Sequence, residues 1–242
     1  MIGPFLLNNT PPNTLFPNPS LSLQEPNGLL AIGGDLHPQR LLNAYKQGIF
    51  PWFNEDQPIL WWSPNPRLVL YPEKIHLSRS LKKSLKNHSF KITMDHAFDE
   101  VIEACSQPRK TEKGTWLSEQ MKYAYSQLHT LGYAHSIEAW QDDKLVGGLY
   151  GIALGKVFFG ESMFSRVSNA SKIAFAVFVE QMRHWDFKLI DCQVETAHLA
   201  NFGAENIDRD VFLEHLNNWC GEASTHNWKI DICDNKRTQQ PT

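Results

Sequence analysis

AHSIEAWQDDKLVGGLYGIALGKVFFGESMF, residues 134–164, decides how this chain is read. It contains three strand-like runs. They are broken by Asp142–Asp143 and by Leu154–Gly155, two turn signals spaced as in an antiparallel meander. Outward toward the C-terminus, residues 169–185 read as a helix, KLIDCQV (188–194) as a buried strand, and 209–219 as a further helix. Toward the N-terminus, Met121, Ala124, Tyr125, Leu128 and Leu131 recur at three or four residues. That spacing predicts a helix over 118–131 closed by Gly132. A helix at 97–106, a strand at 90–93 and a short basic helix at 78–87 precede it. The pattern predicts an α/β (α+β) fold with a mixed, largely antiparallel sheet flanked by helices.

The beginning of the chain differs in composition. Twelve of the fourteen prolines lie between Pro4 and Pro72. Proline fixes φ and removes a ladder donor, so this region is expected to hold turns, brief strands and short helices rather than a regular sheet. One helix is expected from Pro38 through Tyr45, stopped by Gly48. We therefore divide the chain into a small Pro-rich N-terminal domain, 1–67, and a larger α/β domain, 68–242. A net charge of −3 argues against nonspecific coating of nucleic acid, leaving room for a local basic face. Cys105, Cys192, Cys220 and Cys233 form no C-x-x-C pair, which fits free thiols in a reduced compartment. The first residues lack a basic leader and no segment approaches the roughly 20 apolar residues of a membrane span. A cytoplasmic chain with no membrane partner is the expectation.

Four groups of residues could carry chemistry. Arg79, Lys82, Lys83 and Lys86 fall on one helical face, and no acidic residue occurs from Lys74 to Lys91. Such a face can neutralise backbone phosphates, and it would serve equally as a solvated surface helix. Asp191 and Gln193 share a strand face by period-two alternation. The carboxylate can accept from the carboxamide, whose carbonyl is left to orient an amine. The same two residues could be hydrogen-bonded edge groups. Glu161, within the apolar run VFFGESMF, requires a partner: an internal cation or a bound one. Gly160 beside it marks a possible bulge, so strict alternation is not assumed there. Phe158, Met163, Phe175 and Phe178 suit either a core or an adaptable apolar pocket. Trp52, Trp61, Trp62 and Trp116 offer flat surfaces on which an unpaired base could stack. There is no Walker loop, no G-x-S-x-G and no metal-like His/Cys spacing, so no metal is expected.

Taken together, GLLAIGGDL (28–36), GIFPWF (48–53), WWSPNPR (61–67), GTW (114–116), LVGGLYG (145–151), FFGESMFS (158–165), NASK (169–172), IDCQ (190–193) and His198–Leu199 resemble the leucyl/phenylalanyl-tRNA–protein transferase family in order. Asn65 stands where Asp is common, and neither the first 27 residues nor the tail after Trp219 carries a match. The resemblance implies a small N-terminal domain followed by a GNAT-like acyltransferase domain. It implies transfer of Leu, Phe or, less readily, Met from aminoacyl-tRNA to proteins beginning with Arg or Lys, marking them for N-degron degradation. By the same resemblance, Asp191 and Gln193 form the catalytic relay, Glu161 helps hold the substrates, and Trp52 and Trp116 lie near the terminal adenosine. Phe158, Met163, Phe175, Phe178 and Ile190 match the side-chain pocket, and the helix with Arg79, Lys82, Lys83 and Lys86 matches the acceptor-stem contact. An aminoacyl ester is already activated, so no cofactor is expected, and a monomer suffices. The competing readings are an acyl-CoA-dependent N-acyltransferase and a noncatalytic RNA-binding protein. The first normally carries a Q/R-x-x-G-x-G/A turn, where this chain reads SRVSNASK (165–172).

Overall fold

In the computed structural model, residues 3–8, 10–87, 89–107 and 117–232 are described. The N-terminal region contains β1 (Phe5–Leu6), β2 (Leu29–Ile32), α1 (Pro38–Lys46), β3 (Phe50–Pro51) and β4 (Leu60–Trp62). The strands are as brief as the proline density demands, two to four residues each. They pair into one small four-stranded sheet in the order β1-β2-β4-β3, brief strands in place of a regular sheet. Short ladders tolerate proline because only a few backbone donors are needed.

The second sheet has seven strands. It is built from β5 (Arg67–Leu70), β6 (Lys91–Met94), β7 (Ala134–Gln141), β8 (Lys144–Leu154), β9 (Val157–Ser165), β10 (Leu189–Gln193) and β11 (Glu205–Ile207). Between them run α2 (Arg79–Asn87), α3 (Phe98–Ser106), α4 (Glu119–Thr130), α5 (Ala170–His184) and α6 (Ala197–Ala200), and α7 (Arg209–Trp219) follows β11. The spatial order is β11-β5-β10-β9-β8-β7-β6. β7 through β9 are the predicted three-strand meander, β6 joins its edge beside β7, and all three pairings are antiparallel. α5 then carries the chain across one face, and β10 returns parallel to β9. The sheet is therefore mixed and largely antiparallel, as the sequence predicts.

Neighbouring side chains on each strand feed opposite faces. Phe159 and Tyr150 join α1, α3, α4 and α7 in one apolar core, while Phe158 and Leu149 join α5 in the other. Each large side chain so buried contributes about 1.5–3 kcal/mol. The helix ends follow local chemistry. Ser118 Oγ accepts from Met121 N to cap α4, and Gly132 leaves it at φ +79°. Gly48 leaves α1 at φ +71°.

Candidate functional site

One cleft of about 530 Å³ opens between β9, β10 and the first turn of α5, with Trp52 at its mouth. Its shape depends on two backbone irregularities. In the β8–β9 ladder, Tyr150 pairs with Ser162 and Gly151 with Gly160, so Glu161 is the extra residue of a β-bulge. The bulge resets the alternation. Phe158 and Met163, an odd number of positions apart, both face the α5 side, while Phe159 and Phe164 face the other. A Cβ on Gly151 would lie 2.2 Å from Phe159 O and 2.5 Å from the Phe158 ring, so only glycine lets that ring cross β8 and wall the cleft.

The second irregularity is in β10, where the register against β5 shifts between Asp191 and Gln193 and Gln193 adopts φ +57°. Asp191 is completely buried. Its carboxylate takes a two-pronged ion pair from Arg67, with Nε 2.8 Å from Oδ1 and Nη2 2.7 Å from Oδ2. Arg67 also donates to the carbonyl of Gly48 at 3.1 Å and lies between the rings of Phe50 and Phe212. The expected bond from the Gln193 carboxamide to Asp191 is not made. The turned backbone instead directs the Gln193 N–H to Asp191 Oδ1 (3.0 Å), while Nε2 donates to Gly160 O at 2.6 Å. The Gln193 carbonyl oxygen has no partner among the described residues, and Gln193 lines the cleft. Sequence alternation missed this because the positive φ breaks it.

Glu161 has no cation partner within ion-pair distance among the described residues. Its two oxygens accept from the hydroxyls of Tyr45 (2.8 Å) and Tyr125 (2.7 Å), and those hydroxyls lie 2.8 Å from each other. Burial raises the Glu161 carboxyl to about 7. The phenol hydrogen bonds and the Arg67 charge oppose the shift, and the charge of Asp191 adds to it. The three tyrosines around it, Tyr45, Tyr125 and Tyr150, are held well above the ordinary phenol range by burial and by Glu161, so they remain donors. Tyr150 lines the cleft, and its hydroxyl is buried with no partner among the described residues.

Phe158, Met163, Phe175 and Ile190 line the cleft, joined by Leu149. Phe178 does not line it: it stands behind the wall, edge-on to Phe158 with centroids 4.6 Å apart. Trp52 is 48% exposed. Trp61 is fully buried with its indole N–H on Gly33 O, a packing residue and not a stacking platform. Trp116 lies outside the described residues. Arg79, Lys82, Lys83 and Lys86 are exposed on α2, which docks on α5 through Leu81, and none of the four makes an ion pair among the described residues. Lys83 shares a shallow notch with Asn87 and with Ser168 and Asn169 at the start of α5.

Sequence reasoning missed Arg67, Tyr45, Tyr125, Tyr150 and His198 as site residues. Arg67 ends the quoted motif WWSPNPR, and Tyr45 and Tyr125 were legible only as the apolar stripes of their helices. Half-buried His198 lines the cleft, its Nε2 without a partner among the described residues, and burial together with the charge of Lys172 lowers its pKa. Asn65 Oδ1 accepts from Arg209 N at the start of α7, a role open equally to an aspartate.

Asp95, His129 and His135 come together with their ligand atoms within 4.8 Å, a cluster that sequence spacing did not show. The His135 nitrogens already face Asp95 Oδ2 (2.7 Å) and Gly132 O (3.2 Å), and His129 Nδ1 faces Ala134 O (2.8 Å). None of the three lines the cleft.

The cleft thus combines an apolar slot with a free carboxamide oxygen and a protonatable carboxyl. Cys192, which also lines it, has a thiol pushed far up by burial and is a poor nucleophile. This is the arrangement of a group-transfer enzyme that seats one reactant's side chain and orients the other's polar end. The family described as Leucyl/phenylalanyl-tRNA protein transferase matches residues 69–217, and the N-terminal domain of the same transferase matches 34–65. The chain is 59% identical over 201 residues to the leucyl/phenylalanyl-tRNA–protein transferase of Cellvibrio japonicus, covering 83% of this chain and 86% of that one. It is 58% identical over 204 residues to that of Nitrosospira multiformis (84% and 88%). It is 50% identical over 229 residues to that of Nitrosomonas europaea (94% and 97%). The chain belongs to the leucyl/phenylalanyl-tRNA–protein transferase family.

Proposed function

We propose that this enzyme moves Leu, Phe or, less readily, Met from aminoacyl-tRNA to the α-amine of proteins beginning with Arg or Lys, marking them for degradation. The observation that carries the reading is the juxtaposition, in one cleft, of an apolar slot for the aminoacyl side chain with the free carbonyl of Gln193. The slot, lined by Phe158, Met163, Phe175 and Ile190, suits an apolar side chain unbranched at Cβ, as in Leu, Phe and Met. Gln193 orients the attacking amine. Asp191, fixed by Arg67, holds the backbone that aims Gln193. Glu161 faces the acceptor end and Trp52 stacks near the terminal adenosine, a role that the family resemblance also gives to Trp116. Mixing the protein with labelled Leu-tRNA and a peptide beginning with Arg should yield labelled peptide. Absence of transfer by folded protein would sink this reading.

The four cations of α2 hold the acceptor stem. Lys82→Gln with Lys83→Gln is expected to weaken tRNA binding and to reduce the slope of log affinity against log salt by about 1.4–1.8. Filter binding across a salt series measures it, and an unchanged slope would return α2 to ordinary surface. An acyl-CoA donor is disfavoured because the turn before α5 is SRVSNASK, with Asn169 rather than glycine at φ +64°. A noncatalytic RNA-binding role leaves the cleft unexplained.

The division at 67/68 belongs to the same reading; sheet membership supports a boundary close to it, since the small sheet takes strands from 5–62 and the large one begins at Arg67. No helix among the described residues is long and apolar enough to cross a membrane. Action as a cytoplasmic monomer completes the proposal.

A further inference from the structure

Resting on that reaction, we propose that Glu161, closed into a ring with Tyr45 and Tyr125, is the group that takes the proton from the attacking ammonium, while Asp191 serves as a fixed counter-charge.

The geometry argues by counting protons. Three oxygen–oxygen contacts of 2.7–2.8 Å join Tyr45, Tyr125 and Glu161. With Glu161 ionised, both phenol protons point to the carboxylate and none lies between the two phenols. One added proton lets Glu161 donate to one phenol, that phenol to the next and the last back to the other carboxylate oxygen, so all three contacts become hydrogen bonds. The cluster is built to accept a single proton. Asp191 is not. Both of its oxygens are held by the Arg67 guanidinium, one also accepts the Gln193 N–H, and the group is sealed from solvent. Protonating it would break a buried ion pair.

Position agrees. Glu161 lines the cleft, and Gln193, whose carbonyl is free for the amine, is tied by its Nε2 to Gly160 immediately before Glu161. The charged and titratable groups that bear on Glu161 come from every neighbouring element: Tyr45 of α1, Arg67 of β5, Tyr125 of α4, Tyr150 of β8 and Asp191 of β10. Their balance leaves its pKa at about 7, close to an N-terminal amine at roughly 7.7–8.0, so proton transfer between them is nearly isoenergetic.

The step balances. The acceptor arrives as an ammonium with three N–H bonds. One proton passes to ionised Glu161, and the freed lone pair forms the C–N bond at the ester carbonyl carbon. As the adduct collapses, the C–O bond to the terminal ribose breaks and that oxygen takes the second proton. The third remains on the new amide, and Glu161 returns its proton to water.

The test compares two peptides that share an N-terminal Arg side chain. One carries the ordinary α-amine and the other an α-aminooxy group, which is already unprotonated at neutral pH. At saturating peptide and Leu-tRNA, Glu161→Gln is expected to slow single-turnover transfer to the amine by about 100-fold. Transfer to the aminooxy peptide should stay within a few-fold of wild type. Equal slowing of both, or a rise in KM alone, would assign Glu161 to binding and overturn the proposal. Tyr125→Phe removes a hydrogen bond to the ionised carboxylate, so the midpoint at which the rate rises with pH should move upward. An unmoved midpoint overturns the proposal even if Glu161→Gln fails to fold. Wild-type protein inactive on both peptides would instead remove the transferase reading.

Discussion

Arg67→Met is expected to destabilise the protein by about 3–5 kcal/mol, because it leaves the Asp191 carboxylate buried and without its partner. Against a total stability of about 5–15 kcal/mol, that is a large share. Asp191→Leu should cost a similar amount by stranding the guanidinium between Phe50 and Phe212. Urea unfolding measures both as a lower midpoint at unchanged slope. The double variant should recover to within about 2 kcal/mol of wild type, since an apolar pair of similar volume removes both desolvation costs together. A cost below about 1 kcal/mol for either single change would mean the pair does not hold this strand in place. The double variant should remain unable to transfer, because the Gln193 N–H has lost its acceptor. This outcome bears on how any inactive Asp191 variant is understood: lost activity from Asp191→Ala alone reports a broken scaffold at least as much as a missing proton acceptor.

The elements of this fold were legible in the sequence wherever a short-range period governed them. The meander, the helices at 118–131 and 209–219, and the stop at Gly48 follow from spacing and turn chemistry over a few residues. The site was legible as a set of residues but not as a set of partners. Asp191 was read toward Gln193 because period two puts them on one face, and one residue at positive φ cancels that rule. Arg67 stands 124 positions from Asp191, and nothing local connects them. Tyr45 and Tyr125 had the spacing of core residues, which they are. Their hydroxyls acquire meaning only because the bulge at Glu161 delivers a carboxyl between them. Phe178 was assigned to the pocket because it lies on the same helix side as Phe175, yet Phe158 comes between it and the cleft. Periodicity names a face of a helix but not the depth at which each side chain stops.

Gln193→Gly is expected to lower transfer by about 100-fold or more while changing stability by no more than about 1 kcal/mol. The two halves have separate causes. A non-glycine residue at φ +57° stores about 1–3 kcal/mol of backbone strain, and glycine releases much of it. The same change deletes the part-buried bond from Nε2 to Gly160 O, worth about 0.5–1.5 kcal/mol, and adds the unfolded-chain entropy of a glycine, about 0.5–1 kcal/mol. These terms nearly cancel. The loss in rate has no such offset, because the carbonyl proposed to orient the amine is gone. Gln193→Ala separates the contributions: it keeps the strain and loses the bond, so it should be less stable than Gln193→Gly by about 1 kcal/mol or more and equally slow. Thermal unfolding and single-turnover transfer on the same preparations give both numbers. If Gln193→Gly retained wild-type rates, the amine would have to be oriented by another group in the cleft, and the strained turn would be only the way β10 leaves the sheet.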